Sequence, residues 1–143
     1  DRAAIVTILL DSGADPSLHD KYGWTPLHYA ALFNLVDIAQ ILVNCRKPVD
    51  INAKILNAKV FNGRTPLHLA VLSTASSAQQ FVQSDNMEPN VFRLAMVKFL
   101  MNNGADPTLS DDFGRTPFHH AAMHLSVELA EILLDVDDRT DID

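Results

Sequence analysis

"GRTPLHLAV", residues 63–71, decides how this chain is read, because the phrase also stands at 23–31 as "GWTPLHYAA" and at 114–122 as "GRTPFHHAA". Three copies in one register make the chain an array before it is anything else. In each copy the Thr hydroxyl is placed to cap the first free backbone N–H groups of a helix. The Pro takes the first helical position, where its missing N–H costs nothing. Thr25-Pro26, Thr65-Pro66 and Thr116-Pro117 are therefore three predicted helix starts. The small pairs Ala30-Ala31, Ala70-Val71 and Ala121-Ala122 let such a helix sit close to its neighbours.

A second phrase alternates with the first. "AAIVTILLDSGADPSLHDKYG" at 3–23 reads as a helix with apolar Ile5, Ile8 and Leu9 on one face, stopped by Gly13, then a polar turn to Gly23. It returns as "AMVKFLMNNGADPTLSDDFG" at 95–114. Further second helices are expected in "LVDIAQILV" at 35–43 and "LSVELAEILL" at 125–134. A helix pair plus a polar turn is thus the repeat, and stacked neighbours supply the core that one unit lacks. All five glycines fall at positions belonging to these phrases, which leaves none for a phosphate-cradling loop.

Bulk composition bounds the partners. At 143 residues, 48% hydrophobic and 20% charged, the chain is ordinary for one folded domain. A formal charge of -7 and a pI near 5.2 argue against a phosphate-tracking surface, so no nucleic acid is expected as a partner, while basic partners stay open. Cys45 is the single cysteine and cannot form an internal disulfide, no apolar stretch reaches the roughly 18 residues of a membrane span, and no signal-peptide pattern opens the chain. These features point to the cytoplasm or nucleus.

The phrases resemble the ankyrin repeat, whose signature is Gly-x-Thr-Pro-Leu-His-x-Ala-Ala, a second helix, and Gly-Ala-Asp. Gly63, Thr65, Pro66, Leu67, His68 and Ala70 match it position by position, as do Gly13-Ala14-Asp15 and Gly104-Ala105-Asp106. The resemblance implies an all-α solenoid of stacked antiparallel helix pairs with β-hairpin finger loops, and protein binding on the concave side formed by fingers and first helices. On this register residues 1–19 are a partial repeat, 20–54 a repeat, 55–110 a repeat with an extended finger and an insertion at 74–91, and 111–143 a repeat truncated at its end. Both ends cut the pattern, which reads as an excerpt of a longer protein, a monomeric array within a larger chain. The intervals of 40 residues from Thr25 to Thr65 and 51 from Thr65 to Thr116 exceed the family period of about 33, hence two insertions. Arg46 stands where the helix-ending Gly is usual. Asn34 is a fair substitute for the inter-helix Gly and Leu125 a poor one, so a non-standard last turn is expected.

Candidate chemistry dissolves under this reading. His28, His68 and His119 recur at an architectural position and are expected to hydrogen-bond within and between turns. His120 and His124 form an i, i+4 pair with Asp111 or Asp112 nearby, yet a zinc site needs three or four convergent ligands, so no metal or other cofactor is expected. Cys45 reads as helix-end filler rather than a nucleophile, and no triad stands out, so no catalytic residue is assigned. The partner-binding positions carried over from the family are Lys21, Tyr22, Trp24, Leu32 and Phe33 in the first full unit. The second contributes Phe61, Arg64 and Leu72, and the third Phe113, Arg115, Met123 and His124. Aromatic and Arg side chains are what interface hot spots are made of. Trp24 and Phe33 head this set, against the alternative that Tyr22, Phe61 and Phe113 tuck against neighbouring fingers. The expected function is a non-catalytic interaction module of a larger intracellular protein. The alternatives are an inhibitor of NF-kappa-B-like signalling regulator, a regulatory domain attached to an enzyme outside this segment, and a mechanical spacer.

Overall fold

A computed structural model describes residues 1–56, 59, 61–73, 89–124 and 126–135. The insertion at 74–91 therefore lies mostly outside the described residues, as do Leu125 and the run 136–143.

Among the described residues seven helices follow one another: α1 (Arg2–Asp11), α2 (Pro26–Leu32), α3 (Val36–Asn44), α4 (Pro66–Leu72), α5 (Pro89–Asn102), α6 (Pro117–Met123) and α7 (Val127–Leu134). All three Thr-Pro starts are helix starts, with Thr25, Thr65 and Thr116 as extended N-caps and Pro in the first turn. The helices stack in two rows. The first helices α2, α4 and α6 touch in sequence, the second helices α1, α3, α5 and α7 do the same behind them, and the pairs α2–α3, α4–α5 and α6–α7 close each unit. The core lies between the rows, where Leu27, Leu67, Leu69, Met96, Leu100 and Leu129 are fully buried and Ala30, Ala31, Ala70 and Ala121 allow the close approach.

Helix ends follow the sequence closely. Gly13 takes φ 100 and Gly104 φ 95, so that Ala14 and Ala105 amides reach back to the carbonyls of Leu9 and Leu100, both at 3.0 Å. Asn34 takes the left-handed turn expected of it, at φ 54, and its amide side chain donates to Ser73 Oγ at 2.7 Å. At Arg46 there is no such turn. Cys45 is extended instead, and its thiol donates to the Leu42 carbonyl at 3.0 Å, satisfying one of the carbonyls that a glycine turn would otherwise have met.

Two expectations are corrected here. On α1, the side that packs on the core carries Ala3, Val6 and Leu10, while Ile5, Ile8 and Leu9, expected on the packed face, are exposed. The fingers are hydrogen-bonded turns, with no strand among the described residues. Each is closed by so few backbone bonds that a ladder never propagates. Asp20 N–H donates to Trp24 O at 2.9 Å in the first, Ile55 to Arg64 O at 2.8 Å in the second, and Asp111 to Arg115 O at 2.8 Å in the third. The second closing bond spans more residues than the other two.

Candidate functional site

The fingers are built from carboxylate-organised turns. Asp20 Oδ1 accepts from the amides of Tyr22 and Trp24, at 2.9 and 3.0 Å, and Oδ2 accepts the Tyr29 hydroxyl at 2.5 Å. Asp111 repeats this with the amides of Phe113 and Arg115, both at 2.9 Å. These bonds stabilise the charged form and hold the Asp20 carboxyl below its usual range. The same bond pushes the Tyr29 phenol up to about 12. At Asp111, burial works against ionisation, but the backbone donors and His120 outweigh it, and the carboxyl is again lowered.

The signature histidines tie helices to fingers. His28 Nδ1 accepts the Thr25 amide at 3.0 Å, which leaves the proton on Nε2 to bond the Ala53 carbonyl, 2.9 Å away, in the next finger. His68 does the same with Thr65 at 3.1 Å and with the Arg115 carbonyl at 2.9 Å. Burial of both rings pushes their pKa values down to about 4. His119 makes the equivalent bond to Thr116, at 3.0 Å, and is exposed. The structural role expected of Thr25, Thr65, Thr116 and their histidines is therefore a measurable hydrogen-bond pattern.

The positions carried over as partner contacts divide into two groups. Trp24 is only 9% exposed, which corrects its reading as an exposed contact. Phe61, brought over by the lengthened second finger, meets the indole edge-on with centroids 5.5 Å apart, and Tyr29 lies against it at 4.9 Å. Arg64 is half-buried, stacks over Phe61 at 4.9 Å and places Nε 3.5 Å from Asp111 Oδ2. Trp24, Phe61, Arg64 and Asp111 form a brace between fingers. The tucking alternative thus describes Phe61 and not its two companions, since Tyr22 is 51% and Phe113 64% exposed. Lys21, Arg115 and His124 are exposed, Met123 is 65% exposed, and Leu32, Phe33 and Leu72 are half-buried at the ends of the first helices.

The His120–His124 pair does not converge. His120 is buried against Asp111, its Nε2 3.3 Å from Oδ2, whereas His124 is exposed. His120 Nδ1 meets no partner, and burial lowers the ring's pKa despite the adjacent carboxylate. Among the described residues no group of three or more His, Cys, Asp or Glu is placed to hold a metal ion. On the other row, a cleft of about 790 Å³ opens between α1 and α3, lined by Leu10, Ile41, Cys45 and Lys47 among others.

This unit of Thr-Pro helix, second helix, glycine turn and finger is also the pattern of a known family. The ankyrin-repeat model with three copies matches residues 1–93, and a second, many-copy ankyrin model matches 92–134. The chain is an ankyrin-repeat protein. The array is 35% identical over 133 residues to neurogenic locus notch homolog protein 1 of Xenopus laevis, covering 93% of this chain and 4% of that protein. It is 32% identical over 119 residues to the E3 ubiquitin-protein ligase KEG of Arabidopsis thaliana, covering 82% of this chain and 6% of that one. Among solved structures, the ankyrin repeat protein EF0377 superposes with a TM-score of 0.70 at 28% identity, over 92% of this chain and 57% of that chain. The array thus spans a small fraction of the length of these curated relatives. No helix among its described residues is long and apolar enough to cross a membrane.

What sequence reasoning missed is the brace. Arg64, Asp111 and Trp24 lie far apart in the chain, and only the stacking of successive fingers brings them together. The available signal was the aromatic at Phe61 within an over-long finger, which puts a large apolar group where the adjacent turn must cover it.

Proposed function

We propose that this ankyrin array is a non-catalytic protein-interaction module of a larger intracellular protein, and that its partner lies across the finger tips and the ends of the first helices. The observation that carries the reading is the exposure of Tyr22, Phe113 and Met123, large apolar groups on a surface whose remaining signature residues are committed to caps, inter-finger bonds or the brace. Exposed apolar groups gathered on one surface mark a contact. Lys21, Arg115 and His124 supply its polar rim, with half-buried Leu32, Phe33 and Leu72 beneath. The test is affinity capture from cell extract with the native array beside a Tyr22→Ala/Phe113→Ala/Met123→Ala variant of matched thermal stability. A protein held by the native array and lost by the variant is the expected result. Equal capture by both would move the binding surface elsewhere, for example to the cleft between α1 and α3.

A second reading is favoured by the ligase among the relatives, namely that the array serves a catalytic domain outside this segment. Residues 1–143 alone would then bind and show no turnover. No observation above favours the narrower NF-kappa-B-like assignment.

A further inference from the structure

Each finger sets a cation against an aromatic ring, though not at matching positions of the repeat. Lys21 Nζ is 4.8 Å from the Tyr22 centroid, Arg64 4.9 Å from Phe61 and Arg115 5.9 Å from Phe113. The middle pair is closed, since Phe61 packs on Trp24 and Arg64 faces Asp111. The outer two are open. Among the described residues neither Lys21 nor Arg115 is paired with a carboxylate.

The charge of this surface runs against that of the chain. The formal total is -7, yet the fingers carry Lys21, Lys54, Lys59, Arg64 and Arg115 against Asp20, Asp111 and Asp112. Every one of those carboxylates already accepts hydrogen bonds inside the array. Asp20 takes the Tyr22 and Trp24 amides, Asp111 takes Phe113, Arg115 and His120, and Asp112 takes the Asn62 side chain. An incoming cation would find Lys21 and Arg115 opposing it and, of those carboxylates, only Asp112 exposed. An incoming carboxylate would find two cations already positioned beside open ring faces.

We propose that the partner segment is an extended, acidic stretch of polypeptide carrying two apolar side chains, one for the Tyr22–Lys21 pair and one for the Phe113–Arg115 pair. This rests on the interaction reading above and names its chemistry. Helices stacked 8–10 Å apart put the outer fingers roughly 20 Å from each other. An extended chain crosses that distance in about six residues. The partner's apolar anchors are therefore about six residues apart, with Asp or Glu beside each.

The experiment is a display selection of random peptides, long enough to reach both fingers, on the native array, followed by fluorescence-anisotropy titration of the enriched peptides. The expected result is enrichment of acidic peptides with two spaced apolar positions. Their affinity should fall roughly tenfold on Lys21→Glu/Arg115→Glu, and by a similar factor on Tyr22→Ala/Phe113→Ala, with marked weakening in salt. Circular dichroism and Tm of both variants should match the native array, because all four side chains are exposed. Neutral or basic peptides that still depend on Tyr22 and Phe113 would overturn the acidic assignment and leave the finger surface standing. Enriched peptides indifferent to both variants would overturn the finger reading itself, and a selection that enriches nothing would exclude a linear segment.

Discussion

Trp24 and Tyr22 stand two residues apart on one finger, yet they face opposite demands. The indole is enclosed by Phe61, Tyr29 and His28, whereas the Tyr22 ring meets solvent and the Lys21 side chain. Trp24→Ala should therefore cost about 3–5 kcal/mol of stability, the usual range for emptying a buried aromatic site. Tyr22→Ala should stay within about 0.5 kcal/mol. Urea unfolding of the two variants checks the contrast, and near-native stability of Trp24→Ala would show that the indole is not braced as described. Trp24 is also the sole tryptophan, so a red shift of its emission on unfolding reports the same burial.

At the scale of the element, the glycines that look alike in the phrases do different work. Gly13 ends α1 at φ 100 with open space where a Cβ would stand. Gly63, at φ 78, lies so close to the third finger that a Cβ would sit 2.7 Å from the Asp112 backbone nitrogen. Gly23 would likewise drive a Cβ into the backbone of Leu56. Gly13→Ala should cost about 1–2 kcal/mol, the penalty of a left-handed residue. Gly63→Ala adds a backbone collision between fingers and should cost distinctly more. Equal urea midpoints for the two variants would mean that the fingers are not stacked at this distance. The turn at Asn34 and the thiol at Cys45 show the converse, since a helix end can be satisfied without glycine once a side chain or a tolerant residue supplies the bond.

For the molecule as a whole, His28 and His68 couple stability to pH. Each ring is neutral when folded, with a pKa of about 4, against an ordinary value of 6.5 in the unfolded chain. Between those values the unfolded chain binds more protons, so stability is full above pH 6.5 and falls as the pH drops through that window towards 4. The loss is on the order of 3 kcal/mol per ring once both states are protonated. Asp111, lowered against its burial by the Arg115 amide, His120 and the Phe113 amide, adds a further loss at the acid end as it takes up its proton. Urea midpoints measured from pH 7.5 to 4.5 should decline, and His68→Asn should be less stable at neutral pH with a shallower decline. A flat profile for the native array would contradict the buried, neutral imidazoles. The added proton goes to Nδ1, the atom that accepts the Thr25 or Thr65 amide, so protonation breaks the helix cap within a unit while the Nε2–H bond to the next finger is kept.

The sequence by itself determined the array, its helix starts and the glycine turns, because these depend on local chemistry: a hydroxyl cap, a proline ring, a glycine with φ above zero. What the tertiary structure alone decided is which side chains remain for a partner. That outcome depends on the neighbouring finger: the same position is buried at Trp24, where Phe61 arrives to cover it, and exposed at Arg115, where no described finger follows. Identical phrases acquire different exposures because a solenoid residue is buried by the next unit rather than by its own, and the spacing to that unit varies along this chain.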